Sequence, residues 1–437
     1  MRNYRILLIG QCTLQLGRME HGNIGNYYII EPLVRQLHRV FPNADIRTTF
    51  QMTDDFCKRE KITRLPIELY YAWKKNDLND ALQEIEIANT FYNTGNLKHT
   101  TPYIKEVLAS DIVIDFSGDM WGDNANFLGP NRFIVGAYKD YIAHLLRKTV
   151  VMVAGSPGPF NNPVSQEIGQ KVFDSFDLVT NREEESRKVL VDAGFQVHHA
   201  TDLACPAFLF EGSKGLNVNS LLKNEGLRSE SKPVVGFILC GWNFQEGPFD
   251  KCPRDEDEYD VFVDAIEHIV LNLDCNVCLL SHSNGFKVPP IPLELFHGRD
   301  YPIIKQLLRT LKDRGRAQNV FSLDGIYSPW DTKAIIGNFD MVVSGRIHAA
   351  VAALSQNVPT VIIDYGHEPK AHKLKGFADV TGVTELLGDP SNSSDLIAKI
   401  NSCWNSRTDW QKHLSARIPK VQDLARKNFD LIKDLVP

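Results

Sequence analysis

Short apolar runs alternate with longer amphipathic stretches along the whole chain. Most of the runs are rich in valine and isoleucine, which is typical of strands buried on both faces of a parallel sheet. The runs that we predict to be strands lie at residues 4–10, 111–116, 149–155, 176–180, 233–241, 275–281, 319–324, 340–345 and 360–364. The pattern predicts an α/β protein in which strands alternate with helices.

Helix signals occupy several of the intervening stretches. Residues 27–40 and 183–193 have helical patterns and follow predicted strands. Ser328 is a suitable N-cap, and Pro329 a suitable first residue, for a further helix. The end of the chain, from about residue 395 to residue 436, is predicted to be mostly helical.

The length of 437 residues exceeds what one ordinary hydrophobic core organises, so we expect two domains. The segment 211–233 is rich in glycine, serine and asparagine and lacks a strand pattern, which makes it the predicted linker. The predicted N-terminal domain is then 1–210 and the predicted C-terminal domain 234–390, followed by C-terminal helices in 391–437.

The composition, with 43% hydrophobic and 23% charged residues, is that of a soluble globular protein. A formal net charge of -6 argues against a nucleic-acid partner, because a phosphate-binding surface needs an excess of basic residues. The first apolar run is too short for a signal peptide, and no stretch is long enough to span a bilayer. Eight cysteines at irregular spacing indicate reduced thiols, so we expect a cytoplasmic location.

Cys275 and Cys278 form the one closely spaced cysteine pair. A zinc site of this kind needs a second pair of ligands, which the sequence does not offer. We therefore expect a structural role for both cysteines and no bound metal.

The residues that follow the predicted strands are the first place to look for chemistry, because ligands of open parallel sheets bind at the carboxyl ends of the strands. Strand 340–345 runs into Arg346 and His348, at the start of a small-residue helix. A helix N-terminus attracts anions, an arginine fork suits phosphate or carboxylate, and an imidazole can deliver a proton near neutral pH. The structural alternative is that His348 packs in the turn and Arg346 pairs with a surface carboxylate.

Two further junctions, in the first half, carry charged residues. Arg182 follows strand 176–180, where a cation opposes the dipole of the next helix, so we predict that it binds an anionic ligand. Asp119 and Asp123 follow strand 111–116. Either could serve as the base for a sugar hydroxyl, and Asp119 could equally well cap a helix.

Six motifs in this chain resemble, in the same order, those of polysaccharide pyruvyl transferases. The resemblance runs from about Arg5 to Asp379 and rests on NIGNYYIIEPLVRQL, GSPGPF, TNREEESRKVL, LLSHSNG, SGRIHAAVAALSQNVPTVIIDYG and KLKGFA. It implies a GT-B-like fold, with two Rossmann-like αβα domains facing a central cleft. It also implies transfer of a pyruvyl group from phosphoenolpyruvate to a saccharide or lipid-linked saccharide, as a ketal, in polysaccharide or glycan biosynthesis. Phosphoenolpyruvate is then a co-substrate, and no cofactor is implied.

The resemblance also implies roles for individual residues. Arg346 and His348 match the donor-binding pair of the family, with His348 as the acid that protonates the donor. Arg182 matches the arginine of an R-D-x-x-S pattern, in which this chain has Glu183 for aspartate. Asp119 is the candidate base, although many relatives have a run of glycines where this chain has residues 117–119. The further residues predicted to bind substrate are Gly25, Asn26, Asp123, His282 and Lys373.

Two other functions compete with pyruvyl transfer. A nucleotide-sugar glycosyltransferase of the GT-B class would also place cations on a phosphorylated donor. A non-catalytic sugar-binding protein of the same fold is favoured if the arginines are paired with internal carboxylates, since fold does not fix function. The acceptor sugar and the oligomeric state, including a homo-oligomer, stay open.

Overall fold

The computed structural model describes residues 3–227, 231–246, 248–365 and 371–436. The chain forms two compact units, and each draws on separate parts of the sequence. The first unit comprises Met1–Met19, Glu31–Pro206 and Asp423–Pro437, and the second comprises Glu20–Ile30 and Ala207–Gln422.

The first unit is built on a sheet of seven parallel strands. The strands are β1 (Arg5–Ile9), β2 (Asp45–Thr48), β3 (Ile62–Arg64), β4 (Ile112–Asp115), β5 (Thr149–Gly155), β6 (Leu178–Asn181) and β7 (Ala200–Asp202). Their order is β3-β2-β1-β4-β5-β6-β7. The strand order reverses between β1 and β4, so the loops that follow these two strands meet at the switch point where such sheets bind ligands.

Helices connect the strands of this first sheet. They are α1 (Ile24–Val40), α2 (Asp54–Glu60), α3 (Asp77–Thr94), α4 (Pro102–Ala109), α5 (Arg132–Leu145), α6 (Pro163–Phe173) and α7 (Glu185–Asp192). Helix α1 begins in the second unit and continues into the first. The first core contains fully buried apolar residues of the strands, such as Leu7, Val113 and Val150.

The second unit is built on six parallel strands and a separate two-stranded hairpin. The strands are β8 (Val234–Ile238), β9 (Asn276–Leu279), β10 (Asn284–Lys287), β11 (Glu294–His297), β12 (Val320–Ser322), β13 (Met341–Ser344), β14 (Thr360–Ile363) and β15 (Leu387–Gly388). The parallel order is β12-β9-β8-β13-β14-β15, and β10 pairs with β11 antiparallel. The order reverses between β8 and β13, which places the second switch point at the end of β13.

The remaining helices lie before, between and after the strands of the second unit. They are α8 (Val218–Asn224), α9 (Asp260–Leu271), α10 (Asp300–Asp313), α11 (Pro329–Ile336), α12 (Ile347–Leu354), α13 (Ala371–Thr381), α14 (Ser393–Asn405) and α15 (Arg407–Asp434). The predicted cap of α11 is confirmed, since the Ser328 hydroxyl accepts the N–H of Asp331 at 3.1 Å. Among the helices of the described ranges, none has the length and apolar character needed to cross a membrane.

All nine predicted strands are present, with ends that differ by at most three residues from the prediction. Strands such as β2 were missed because they are short and mostly polar: β2 has the sequence DIRT. The predicted helix 183–193 is shorter, spanning Glu185–Asp192, while the helical end of the chain is confirmed as α14 and α15.

The division into units differs from the predicted boundaries. The described part of the predicted linker 211–233 belongs to the second unit, and it contains α8. This helix forms because the side chain of Asn217 caps it, accepting the N–H of Ser220 at 3.0 Å. The sequence pattern did not reveal that residues 20–30 belong to the second unit, or that the C-terminal helix α15 is divided between the two units.

Candidate active site

Arg346 lies at the switch point of the second sheet, between the end of β13 and the first residue of α12. Its Nε donates to Oδ2 of Asp300 at 3.0 Å, and its Nη2 donates to the other oxygen of the same carboxylate. Asp300 is fully buried, and the Arg346 side chain is 12% exposed. Burial opposes the charge of Arg346, but the Asp300 carboxylate raises its pKa above the ordinary value for arginine. Arg346 is therefore paired with an internal carboxylate rather than with a surface one.

His282 lies beside this ion pair, in the loop after β9. Its ring is fully buried, and within the described part of the chain neither ring nitrogen has a hydrogen-bond partner. The ring packs edge-on against Tyr28, with centroids 5.3 Å apart. Burial, and then the charge of Arg346, lowers the pKa of His282 to about 3, so this imidazole is neutral at pH 7. His282 therefore lies next to Arg346, which is predicted to bind the donor, but its own ring is not accessible to solvent.

His348 lies in the first turn of α12 and packs against the first turn of α1. A Cβ added at Gly25 would lie 2.6 Å from the Cβ of His348 and 2.9 Å from its Nδ1. Only glycine permits this approach of the two helix ends. Asn26 follows directly, and its N–H donates to the carbonyl of Asn23 at 2.9 Å. The contact brings the predicted residues Gly25 and Asn26 to the predicted acid.

Helix α13 contributes Lys373 to the same unit. Lys373 is 6% exposed, and its Nζ lies 5.6 Å from the ring centroid of Tyr365. Phe377, one turn further along α13, packs against the ring of His348 with centroids 6.0 Å apart. Helix α13 therefore packs against His348, and it carries the lysine that the sequence predicted.

Two buried residues of this region escaped the sequence analysis. Asp300 is the partner of Arg346, and Asn243 supports Gly345, whose added Cβ would lie 1.9 Å from the Asn243 Oδ1. The Asn243 Nδ2 donates to the Gly345 carbonyl at 3.5 Å and to the Asp364 carbonyl at 3.4 Å. The signal for Asn243 was its position after β8, at the end of a strand. No signal marked Asp300, because acidic residues are common in the first turn of a helix.

In the first unit, Arg182 lies at the end of β6 in a buried polar network. Its Nε donates to Ser156 Oγ at 2.7 Å, and the same hydroxyl donates to Glu183 Oε1 at 2.7 Å. Glu183 Oε2 accepts the N–H of Ser186 at 2.8 Å, so Glu183 satisfies an amide in the first turn of α7. The glutamate in place of the family's aspartate therefore has a structural use here.

Asp119 lies in a single helical turn, Gly118–Met120, after β4. The preceding Ser117 hydroxyl donates to Asp115 Oδ2 at 2.8 Å and accepts the N–H of Gln11 at 2.8 Å. Burial raises the pKa of Asp115 to about 7, against the opposing effect of the Ser117 hydrogen bonds. The Ser117 hydroxyl, held by the buried Asp115, thus joins the loops after β1 and β4 next to the turn that carries Asp119.

Asp123 is engaged by the backbone of the first unit. Its Oδ2 accepts the N–H groups of Asn161 and Asn162 at 2.6 and 2.9 Å, just before α6. Its other carboxylate oxygen is buried and has no hydrogen-bond partner in the described ranges. The hydrogen bonds to Asn161 and Asn162 use Oδ2 of Asp123, so its predicted role in substrate binding would have to use Oδ1.

Within the ranges that the structure describes, no three His, Cys, Asp or Glu side chains are grouped so that they could hold a metal ion. Cys275 and Cys278 are free thiols and both are buried. Burial raises the pKa of Cys275 to about 12, as expected for a packed, unreactive thiol.

Solved structures share this fold at low sequence identity. A glycosyltransferase from Rickettsia africae has a TM-score of 0.60 and 12% identity, covering 100% of this chain and 99% of that chain. Alr3699/HepE from Anabaena, solved with UDP and glucose, has a TM-score of 0.55 and 16% identity over 98% and 96% of the two chains. A putative UDP-N-acetylglucosamine 2-epimerase from Listeria monocytogenes has a TM-score of 0.55 and 12% identity over 98% and 94%. The predicted GT-B-like α/β class is confirmed.

Sequence comparison shows to which family within this fold class the chain belongs. The amylovoran biosynthesis protein AmsJ from Erwinia amylovora is 21% identical over 450 residues, covering 99% of this chain and 100% of AmsJ. The sequence model of the polysaccharide pyruvyl transferases matches residues 23–367, a range that includes every predicted site residue except Lys373. Because that match spans most of its length, the chain belongs to the polysaccharide pyruvyl transferase family.

Proposed function

We propose that this protein transfers the pyruvyl group of phosphoenolpyruvate to a saccharide, forming a ketal in polysaccharide biosynthesis. Family membership makes the chain a transferase, and the name of its relative AmsJ supports a biosynthetic role. The observation that carries the donor assignment is the placement of Arg346 and His348 at the N-terminus of α12, against the first turn of α1. Two helix N-termini, an arginine and a nearby lysine suit a donor that carries both phosphate and carboxylate.

In this proposal His348 is the general acid of the reaction. As imidazolium it gives its proton to the methylene carbon of phosphoenolpyruvate, and the adjacent carbon becomes electrophilic. Two acceptor hydroxyls add to that carbon and lose their protons, while its bond to the phosphate oxygen breaks and phosphate leaves. Arg346 and Lys373 would stabilise the donor anions and the departing phosphate. On the acceptor side, Asp119 is the candidate base and Arg182 a candidate anion ligand.

The pairing of Arg346 with Asp300 favours a second candidate, the non-catalytic sugar-binding protein. That hypothesis expects internal carboxylates to neutralise the arginines, and Asp300 does so for Arg346. The pairing does not prevent ligand binding by Arg346, because a paired arginine that stays partly exposed can still donate hydrogen bonds to a ligand.

Phosphate release separates these candidates. The protein is incubated with phosphoenolpyruvate and a panel of pyranosides, and free phosphate is measured against a reaction without acceptor. Acceptor-dependent release supports pyruvyl transfer, whereas sugar binding without release supports the non-catalytic protein. Thermal shifts with UDP-sugars but not with phosphoenolpyruvate would instead favour the glycosyltransferase alternative, which the UDP in the Anabaena structure makes worth testing.

Replacing Gly25 with alanine should displace His348 and lower turnover by about a hundred-fold, since small misplacements of a catalytic group are costly. The added methyl would lie 2.6 Å from the His348 Cβ, which is closer than Cβ contacts in proteins, so one of the two helix ends must shift. We expect this overpacking to lower the free energy of unfolding by about 1–3 kcal/mol, which is measured as a lower melting temperature. Phosphate release and thermal unfolding measured on the same preparation check this.

The matched control is Gly169→Ala, a helical glycine of α6 whose added methyl would lie 3.2 Å from Phe195. This variant should keep the parent turnover. A Gly25→Ala protein with parent turnover and melting temperature would contradict the packing argument for His348.

A further inference from the structure

Asp300 makes contacts that the proposed mechanism does not yet use. Both of its carboxylate oxygens hold the Arg346 fork, and Oδ2 also accepts the N–H of His282 at 3.3 Å. Its own N–H donates to Ser283 Oγ at 3.1 Å. Asp300 is the first residue of α10 and is fully buried. One buried side chain thus joins the arginine after β13 to the loop after β9.

The loop after β9 extends this connection to the first turn of α1. The carbonyl of His282 accepts the N–H of Ile24 at 3.3 Å, and Ser283 forms an antiparallel bridge with Asn23. Gly25, next along α1, is the residue that packs against His348. Asp300 therefore contacts Arg346 directly. It is connected to His348 indirectly, through the loop after β9 and the first turn of α1.

We infer that Asp300 is a positioning residue for pyruvyl transfer, which fixes the guanidinium of Arg346 and, through the loop after β9 and the first turn of α1, the imidazole of His348. This inference rests on the proposed function. Asp300 is too deeply buried to touch a substrate, so it acts through the two groups that do. Bidentate pairing suits this role because it fixes both the position and the plane of the arginine fork.

The charge of Asp300 should affect anion binding and turnover in different ways, which distinguishes a positioning residue from a merely structural one. The carboxylate cancels the charge of Arg346, so a bound anion meets a weaker field than a lone arginine would provide. Asp300→Asn removes that charge and keeps the size of the side chain and one acceptor oxygen. Anion affinity should then be preserved or increased, while turnover falls because Arg346 and His348 lose their fixed orientation. A merely structural residue would weaken binding, turnover and folding together.

The experiment compares parent, Asp300→Asn and Arg346→Ala as full-length proteins. Calorimetry measures the Kd for inorganic phosphate, and phosphate release gives kcat and KM for phosphoenolpyruvate with the pyranoside panel. We expect Asp300→Asn to lower kcat about ten- to a hundred-fold without raising the Kd for phosphate. Arg346→Ala should raise that Kd and lose turnover as well.

The matched control is Glu106→Gln, which removes one partner of the bidentate Arg47–Glu106 pair between β2 and α4. Its kcat and its Kd for phosphate should equal those of the parent. Should Asp300→Asn fail to fold, Asp300→Glu keeps the charge but shifts the fork. It should lower kcat without increasing phosphate affinity.

Two results would overturn the inference: a parent kcat in Asp300→Asn, or a loss of phosphate affinity in proportion to the loss of kcat. Failure of the proposed function is a separate outcome, recognised when the parent itself releases no phosphate from phosphoenolpyruvate. The phosphate Kd of the three proteins would still report whether Asp300 controls the anion affinity of Arg346.

Discussion

Replacing His348 with alanine should lower kcat by about a hundred- to ten-thousand-fold, the usual cost of removing a positioned general acid. Binding of phosphoenolpyruvate should persist, because Arg346, Lys373 and the helix N-termini do not depend on the imidazole. Calorimetry with phosphoenolpyruvate, together with acceptor-dependent phosphate release, measures the two quantities separately. The expected split between binding and turnover follows from the two positions on the chain: Asp300 holds the fork of Arg346, and His348 lies two residues further along, in the first turn of α12.

His348→Gln is the informative companion to the alanine variant. Glutamine fills much of the space next to Gly25 and can donate a hydrogen bond, but it cannot deliver a proton. It should therefore be as inactive as alanine while melting closer to the parent. A His348→Ala protein that binds the donor, folds normally and turns over at the parent rate would show that His348 is not the acid.

The stability of the protein should fall as the pH rises from about 4 to 7, because Asp115 keeps its proton in the folded state. Burial raises the pKa of Asp115 from 3.8 to about 7, so across this window the folded chain holds a proton that the unfolded chain has released. The contribution of Asp115 to stability then declines with pH by about 1.4 kcal/mol per unit, or about 4 kcal/mol in all, and levels off above pH 7. Urea unfolding at pH 4 and pH 8 measures the difference.

Asp115→Asn should remove the part of the slope that comes from Asp115, about 1.4 kcal/mol per pH unit, because asparagine does not titrate and its oxygen can still accept the hydroxyl of Ser117. The buried Asp140 has a pKa raised by burial and by Asp115, so it adds a decline of its own in the same direction, and that decline stays in the variant. Asp55→Asn changes an exposed carboxylate in α2 and should leave the parent slope intact. Equal slopes in the parent and in Asp115→Asn would refute the assignment.

The central parallel strands were predictable because burial on both faces favours apolar, β-branched runs, such as the valines of β5 and β13. Strand β2 was not, since three of the four residues of its DIRT sequence are polar and its pairing with β1 depends on distant residues. The short strand β15, with two residues, is too brief for any pattern to reveal. Local sequence thus determines the central strands, and tertiary pairing determines the edges.

The same contrast holds for the candidate site. Arg346 and His348 were predictable because cations at the start of an apolar helix are unusual and their spacing is local. Asp300 was not, because its partner lies 46 positions away and nothing in the sequence marks an acidic residue at a helix start as buried. The burial of His282 was equally hidden, since it depends on Tyr28 and Arg346 packing around one ring.

The contribution of residues 20–30 to the second unit has a consequence for synthesis on the ribosome. Ile24 bonds to His282, 282 − 24 = 258 positions later, so the first turn of α1 must wait for most of the chain before its partner exists. Synthesis at about 5–20 residues per second makes that delay roughly 13 to 50 seconds. During this time the first turn of α1 is without its native partners in the second unit, and its apolar side chains are open to non-native contacts.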